Sequence, residues 1–431
     1  MTDQKFKNLI STADSLIKAA AAGRVFGGIK VPAVQEWHSP ENQHILFTDR
    51  CVLEIFIEYG RRLMSGMSPE ETGRDNVSRF AGYRKKLFSA PSFSPDNPFF
   101  QMIKSSLIVR SMSLLLTHSC QLRCSYCAVG KYNADTPFSV IKQTIDSIAS
   151  SGLDRFHMQF FGGEPFLRFQ MMKKAVSHIE KVSGINRINF SLGVNSNGVG
   201  LDEEKISFCM EKGIKLYISC DGTEETCSEA RHTAGGNYHK AYMSIAHSME
   251  TAVKCKANHT IIMVVMPDNL DKMLDNYRYL KSLGNKDIQC NYALGMLWEP
   301  EKQKIFAENL LEIQKDSVQS NGRPSPNFFG SRMEPVALNS EMLCDCDGGL
   351  YRETGVNLES RFADSKRKFF VAEKATPEVM RSSGASKPDS LWKMLEVYGH
   401  DKKFLKVIMN NLEFGMYLNS LRIKEMSASL K

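Results

Sequence analysis

The sequence contains no apolar run long enough to cross a bilayer, which takes about 20 predominantly apolar residues. Its longest strongly apolar run, Ile261–Met266, has the length of a buried strand. The segment Met1–Gly23 lacks the uninterrupted apolar core of a signal peptide and has the pattern of an amphipathic helix. We therefore expect a cytoplasmic protein with no membrane partner. In that compartment, eleven cysteines are expected to be thiols or metal ligands rather than disulfides.

The sequence also has only a small excess of positive over negative charge. The formal net charge is +7 over 431 residues, and the nearest approach to a basic block is Lys366-Arg367-Lys368. Such a short run is typical of a solvated face, so we expect no nucleic-acid partner. Hydrophobic residues make up 42% and charged residues 24%, which is ordinary globular composition. The length is sufficient for a large barrel with smaller flanking parts.

Three regions can be distinguished along the chain. Residues 1–108 have mostly helical patterns and end in a proline-rich linker, Ser89–Pro98. Residues 109–298 alternate between strand and helix patterns. Residues 299–431 form a less regular C-terminal extension with a helical tail.

The middle region predicts an α/β fold. Helical patterns separate six predicted strands: Ser111–Thr117, Phe156–Phe161, Ile188–Val194, Ile214–Ser219, His259–Val265 and Asp287–Tyr292. Such alternation favours a parallel sheet, here a partial (β/α)6 TIM-like barrel. Ligands of these folds gather at the carboxyl ends of the strands. Four consecutive predicted strands end in polar or glycine-rich sequence: Cys120, Gly162-Gly163-Glu164, Asn195–Asn197 and Asp221-Gly222.

The first of these strand ends carries three cysteines, Cys120, Cys124 and Cys127, at spacings of three and two intervening residues. Three thiolates on one short loop can hold three irons of a 4Fe–4S cluster. The fourth iron is then open to chelate a substrate. A zinc site is the alternative, with His118 as the fourth ligand, although His118 lies only two residues before Cys120.

With these residues, the sequence resembles the radical S-adenosylmethionine (SAM) superfamily, whose signature is C-x3-C-x2-C with an aromatic residue, here Tyr126, before the last cysteine. The resemblance covers roughly residues 110–295. It implies that Gly162, Gly163 and Glu164 hold the methionine amino group of SAM, with glycines allowing close backbone approach. Further motifs agree with this family: Asn195 to Gly198, Ser219-x-Asp221-Gly222, Arg231 and the Gly235–Tyr238 turn. The resemblance makes Asn195, Asn197, Ser219, Asp221 and Arg231 cofactor-binding candidates, and Arg231 is of a type that clamps carboxylates.

The resemblance also implies a function. In this family an electron donor such as flavodoxin or ferredoxin reduces the cluster. The reduced cluster passes an electron to SAM and cleaves it, and the resulting 5′-deoxyadenosyl radical abstracts hydrogen from the substrate. The pattern of Ser219-x-Asp221-Gly222 followed by Arg231 and the Gly235–Tyr238 turn is typical of the peptide-modifying branch. That branch includes anaerobic sulfatase-maturating enzymes and maturases of ribosomally made peptides. A peptide or protein side chain is therefore the expected substrate, changed by cross-linking, oxidation or epimerisation. RNA or a small metabolite is the alternative substrate, and a non-catalytic iron–sulfur scaffold is the alternative of another class.

The C-terminal extension departs from that branch, which commonly has about seven additional cysteines for two further clusters. Here the candidates are Cys290, Cys344 and Cys346, and no cysteine follows Cys346. Two auxiliary clusters are excluded by ligand count, and one is less expected than none. An epimerase-like reaction would need no such cluster, only a thiol as hydrogen donor, with Cys220 and these three as candidates. The segment Leu63–Glu71 resembles helix-turn-helix-like peptide-recognition modules, and a simple helical cap is the alternative.

Overall fold

The computed structural model describes residues 111–127, 129–233, 235, 238–328, 342–352 and 365–382, with scattered positions between 406 and 421. The predicted N-terminal helical region, its leader-binding candidate and the linker lie outside the described residues. Residues 109–329 and 341–383 form one compact unit. No helix in the described part of the chain is long and apolar enough to span a membrane.

The six predicted strands are all present. They are β1 (Ser111–Thr117), β2 (Arg155–Gly162), β3 (Asn189–Ser196), β4 (Lys215–Ser219), β5 (His259–Val265) and β6 (Ile288–Tyr292). Three short strands follow in the C-terminal extension: β7 (Met342–Cys344), β8 (Leu350–Arg352) and β9 (Phe370–Ala372).

Helices connect the strands. They are α1 (Phe138–Ala149), α2 (Phe169–Asn186), α3 (Glu203–Glu211), α4 (Glu224–Ala230), α5 (Tyr238–Lys254), α6 (Met273–Ser282), α7 (Pro300–Asn321), α8 (Ser365–Lys368) and α9 (Pro377–Ser382). Short 3-10 helices occur at Pro165–Arg168, Pro267–Lys272 and Pro326–Phe328. In α1 the apolar spacing explains the packing: Ile141, Ile145 and Ile148 lie on one face and are fully buried. Each such burial stabilises the fold by about 2 kcal/mol.

The nine strands form one sheet in the order β6-β5-β4-β3-β2-β1-β7-β8-β9. Strands β1 to β6 are parallel to their neighbours, and β7 joins β1 in parallel on its other side. Strands β8 and β9 then pair antiparallel. The α/β class and the partial, unclosed barrel are confirmed. The short strands show that the extension continues the sheet beyond β1.

The two faces of this sheet differ in chemistry. Every second residue along β2, β4 and β6 is buried, and these residues form a face that packs on helices. On this face Tyr292 contacts Phe306 of α7, with ring centroids 6.3 Å apart. We call the other side the inner face. It is half-buried and carries His157, Gln159, Phe161, Asn195, Lys215, Tyr217, Ser219, Ile262, Val264, Gln289 and Asn291.

Candidate active site

The three cysteines lie in a loop that follows β1 at the carboxyl edge of the parallel sheet. We call residues 118–134 the cysteine loop. Cys120, Cys124 and Cys127 form no disulfides and are partly exposed, so each can reach a ligand placed above the strand ends. The loop thus occupies the position at which parallel sheets bind their ligands.

Two glycines bring the end of β2 against the cysteine loop. Gly163 N–H donates to the Thr117 carbonyl at 2.7 Å, and Glu164 N–H donates to the Ser119 carbonyl at 2.9 Å. A Cβ on Gly162 would lie 2.3 Å from the Thr117 oxygen, and one on Gly163 would lie 2.2 Å from the Ser119 oxygen. The close approach that the structure shows is to the carbonyls of β1 and the loop. Close approach of a ligand to these glycines stays a prediction.

The Glu164 carboxyl group has no exposed surface and is held by three protein donors. It accepts hydrogen bonds from Phe166 N–H at 3.1 Å, Ser196 Oγ at 3.0 Å and Asn197 N–H at 2.6 Å. Burial raises the pKa of this carboxyl to about 7, even though the hydrogen bonds act in the opposite direction. Glu164 therefore joins the end of β2 to the end of β3. Contact with the amino group of SAM stays a prediction.

The two predicted asparagines have different surroundings. Asn197 donates from Nδ2 to Cys120 Sγ at 3.4 Å and to Gln121 Oε1 at 3.1 Å, so its amide lies at the sulfur of a predicted cluster ligand. Asn195 lies on the inner face and accepts from Gln159 Nε2 at 3.0 Å. Hydrogen bonds to cysteine sulfurs are one of the factors that set the potential of an iron–sulfur cluster.

Asp221 and Arg231 form a buried ion pair, and half-buried Tyr126 of the cysteine loop is hydrogen-bonded to it. Arg231 donates to both Asp221 oxygens at 2.8 Å, Tyr126 OH donates to Asp221 Oδ2 at 2.7 Å, and the guanidinium lies 5.6 Å from the Tyr126 ring centroid. The expected carboxylate clamp is thus present, but the carboxylate is that of Asp221. Arg231 is buried and paired with both oxygens of that carboxylate, and its role in binding the cofactor stays a prediction.

The same group acts on the Cys124 thiol. Burial raises the pKa of Cys124 to about 12, whereas the Arg231 charge acts to lower it. The loop backbone is also paired with the residues next to Arg231: Arg123 N–H donates to the His232 carbonyl at 2.6 Å and Ser125 N–H to the Ala230 carbonyl at 2.8 Å. Arg231 is therefore a structural and electrostatic partner of the loop.

Ser219, the remaining predicted residue, ends β4 with a half-buried side chain on the inner face. Its neighbour Cys220 is fully buried and lies 3.8 Å, sulfur to sulfur, from Cys227 of α4. Because alternate residues of a strand point to opposite faces, Cys220 points away from the inner face. This placement speaks against Cys220 as a hydrogen donor to a substrate bound there. Gly235 of the predicted turn is described, while residues 236 and 237 are not.

The residues present fit an iron–sulfur cluster better than a single zinc ion. Among the described residues, one trio of metal-ligating side chains has its ligand atoms within 4.8 Å of one another, and it is His118, Asp345 and Cys346 rather than the three loop cysteines. Three thiols bound to one zinc ion, with zinc–sulfur bonds of about 2.3 Å, would have their sulfur atoms closer together than 4.8 Å. His118 is also engaged elsewhere, since its ring nitrogens meet the Gly130 carbonyl at 2.8 Å and Asp345 at 2.7 Å.

The three candidates for an auxiliary cluster do not converge. Cys290 is on β6 and Cys344 on β7, with five strands between them in the sheet. Cys344 Sγ lies 3.5 Å from Thr144 Oγ1 of α1, whereas Cys346 packs against the apolar cluster that contains Leu115, on the opposite side of the sheet. In the described structure these three thiols therefore do not share one site.

The sequence patterns missed the polar inner face that leads to the cysteine loop. The Gln159 side chain extends from β2 over Gly193 of the neighbouring strand β3 and reaches Asn195. Glycine at position 193 makes this possible, because a Cβ there would lie 2.2 Å from Gln159 Oε1. His157 contacts Gln159 at 3.0 Å, and Gln289 donates to Asn291 at 3.0 Å. Polar residues at alternate positions of strands β2 and β6 were the available signal.

Comparisons with known proteins agree with this geometry. Residues 114–280 match the model of the Radical SAM superfamily. An uncharacterised protein of Methanocaldococcus jannaschii is 31% identical over 210 residues, which cover 48% of this chain and 70% of that protein. A GTP 3′,8-cyclase of Clostridium perfringens (strain 13 / Type A) is 30% identical over 329 residues, covering 68% of this chain and 95% of that protein.

A solved structure shares the fold. Native anSMEcpe, an anaerobic sulfatase maturase with bound AdoMet, has a TM-score of 0.58 and 17% sequence identity, and the match covers 74% of this chain and 100% of that chain. Its barrel and the open sheet described above have the same architecture. From the family match, the close relatives and the position of the cysteine loop, we conclude that this chain is an enzyme of the radical SAM superfamily.

Proposed function

We propose that this enzyme uses a 4Fe–4S cluster held by Cys120, Cys124 and Cys127, together with SAM, to modify a side chain of a peptide or protein. When bound, these two cofactors supply one-electron cleavage of SAM and abstraction of a substrate hydrogen atom. The observation that carries the proposed substrate is the inner face, which ends at the cysteine loop and is lined largely by amides, hydroxyls and apolar groups.

In this proposal the chain's own residues position the loop and shape the site. Gly163 and Glu164 fix the loop from β2, and the Asp221–Arg231 pair with Tyr126 fixes it from β4. Asn197 supplies a hydrogen bond to the Cys120 sulfur. Asn195 and Ser219, on the inner face, are available for SAM or substrate.

Charge favours a peptide over a nucleotide. On strands β1 to β6 the cations of this face are Arg155 and Lys215, which begin β2 and β4 at the edge opposite the cysteine loop. The Lys215 ammonium lies 5.1 Å from the Tyr217 ring centroid. A triphosphate is commonly bound by several Arg or Lys side chains or by a metal ion, whereas peptide groups are recognised by amides such as Gln159, Gln289 and Asn291. A structure of the same sulfatase maturase with bound AdoMet and Kp18Cys peptide supports a peptide on this fold.

A small nucleotide is the second candidate, because relatives named GTP 3′,8-cyclase match this chain over most of their length. The two candidates make different demands on the inner face. A nucleotide substrate would have to recruit cations from outside the described inner-face residues.

The proposed chemistry is tested by anaerobic reconstitution with iron and sulfide, reduction with dithionite, and quantification of 5′-deoxyadenosine after addition of SAM. We expect product from the wild-type chain and loss of product in Cys120→Ala, Cys124→Ala and Cys127→Ala, because three thiolates are required to hold the cluster. Cys255→Ala, at a half-buried free cysteine beyond α5, is the matched control and retains product formation.

Absence of 5′-deoxyadenosine from the reconstituted wild-type chain would reject the proposed chemistry. The same assay with added GTP examines the second candidate. Stimulation by GTP above the level with SAM alone would replace the peptide by a nucleotide.

A further inference from the structure

Asp345 belongs to the C-terminal extension but lies directly beside the cysteine loop. It follows β7, which pairs in parallel with β1, and β1 leads into the loop. Parallel pairing therefore brings the residues after both strands to the same edge of the sheet. There Asp345 Oδ1 lies 2.7 Å from His118 Nε2, although the two residues are 227 positions apart and neither side chain has exposed surface.

His118 connects the two ends of the cysteine loop. Its backbone N–H donates to the Ala134 carbonyl at 2.9 Å, and its Nδ1 lies 2.8 Å from the Gly130 carbonyl. The Tyr132 ring stacks on the imidazole with centroids 4.0 Å apart. The three cysteines lie between these contacts, so a shift of the His118 ring displaces the base of the loop that carries them.

Contacts on both ring nitrogens hold His118 in place. Its Nδ1 lies 2.8 Å from the Gly130 carbonyl, and its Nε2 lies 2.7 Å from Asp345 Oδ1 and 2.9 Å from the Tyr132 hydroxyl. Asp345 is in turn held by a second side chain. Its second oxygen lies 2.5 Å from Lys366 Nζ, which also pairs with Asp347 at 2.9 Å.

The contacts of Asp345 with His118 and Lys366 agree with the lowered pKa of its carboxyl group. Burial acts to raise the pKa of Asp345, but hydrogen bonds and charges from His118 and Lys366 overcome it and lower the pKa to about 2. A metal ion held by His118, Asp345 and Cys346 is the competing arrangement, because their ligand atoms lie within 4.8 Å of one another. The Lys366 ammonium already supplies a cation at Asp345, which disfavours a second one.

We propose that Asp345 is a positioning residue for the cluster: acting through His118, it fixes the cysteine loop in the geometry that binds iron. The extension thus contributes to the active site by a carboxylate and not by cluster ligands. This inference rests on the proposed function only in assigning the cluster to that loop. Partners of metal ligands commonly act in this way, by orienting the residues that bind the metal.

The test is Asp345→Asn in the full chain, with Asp347→Asn as matched control. Asp347 also pairs with Lys366, but it is half-exposed, and its carboxylate accepts from Gly349 N–H and Tyr351 OH. We expect 5′-deoxyadenosine formation by Asp345→Asn to fall about 10- to 100-fold, as for other partners of metal ligands. The g-values or reduction potential of its cluster shift, and amide hydrogen exchange accelerates in residues 118–134 while other strands are unchanged. Asp347→Asn behaves as wild type in all three measurements.

A folding failure of Asp345→Asn is addressed by the double variant His118→Gln/Asp345→Asn. It replaces both partners of the buried contact, and we expect it to fold with fast exchange in the loop. Unchanged loop exchange and an unchanged cluster spectrum in a folded Asp345→Asn variant would overturn the proposal. So would a stoichiometric zinc ion in the wild-type chain that Asp345→Asn removes. If the wild-type chain forms no cluster, the proposed function fails, while loop exchange still decides whether Asp345 fixes the loop.

Discussion

Burial opposes the ionisation of Glu164, and the stability of the folded chain therefore depends on pH. Its pKa rises from an ordinary 4.5 to about 7 in the folded state. The folded chain therefore binds this proton more tightly than the unfolded chain, and the stability associated with it is complete below about pH 4.5 and lost as pH rises towards 7. The difference corresponds to about 3 kcal/mol over that window.

We predict that Glu164→Gln removes this part of the pH dependence. The free energy of unfolding of the wild-type chain should decline between pH 5 and pH 8 more steeply than that of the variant, in anaerobic urea titrations. Glu308→Gln, at a glutamate with 61% exposure, is the control and should keep the wild-type slope. Equal slopes for wild type and Glu164→Gln would show that Glu164 does not titrate in this range.

At the scale of elements, the turn after β2 determines where the cysteine loop lies. We predict that Gly163→Ala lowers the iron bound per chain, because its Cβ would lie 2.2 Å from the Ser119 carbonyl oxygen and 2.6 Å from that of His118. Backbone atoms cannot move aside as a flexible side chain does, so the loop itself must shift. Iron content after anaerobic reconstitution measures the effect.

The matched control for that change is Gly184→Ala. Gly184 lies in α2, where an added Cβ would meet nothing within 4 Å, and alanine is favoured over glycine in helices by about 0.5–1 kcal/mol. The control should therefore bind iron as wild type does and unfold at the same or a higher temperature. Full iron binding by Gly163→Ala would mean that the turn tolerates displacement and does not set the loop.

Local sequence patterns predicted the elements but not their contacts. Alternation placed the six parallel strands, whereas α4 and β7 were missed because seven and three residues are too few to show a period. The motif containing Asp221 and Arg231 was recognised, but not that each is the other's partner, since Arg can bind any carboxylate within reach. The contact of His118 with Asp345 depends on the pairing of β7 with β1, which no pattern within either segment encodes.

For the whole molecule, the strand order determines how many clusters the described cysteines can hold. Cys290 and Cys344 are fully or almost fully buried on strands separated by five others, and burial raises the pKa of the Cys344 thiol to about 12. Both facts favour neutral thiols that serve as apolar packing over thiolate ligands. The extension therefore adds strands to the sheet and Asp345 to the loop, and we expect its cysteines to hold no second cluster.

We accordingly predict about four irons and four sulfides per reconstituted chain, the content of one cubane cluster. Cys290→Ala and Cys344→Ala should each retain this content, because the two thiols are buried on strands separated by five others, while Cys124→Ala should lose it. Iron and sulfide analysis on the same anaerobic samples decides the matter. About eight irons, falling to about four in Cys344→Ala, would require the extension to rearrange around a second cluster. A content that stays at four in both variants leaves Cys120, Cys124 and Cys127 as the ligands of one cluster with an open iron.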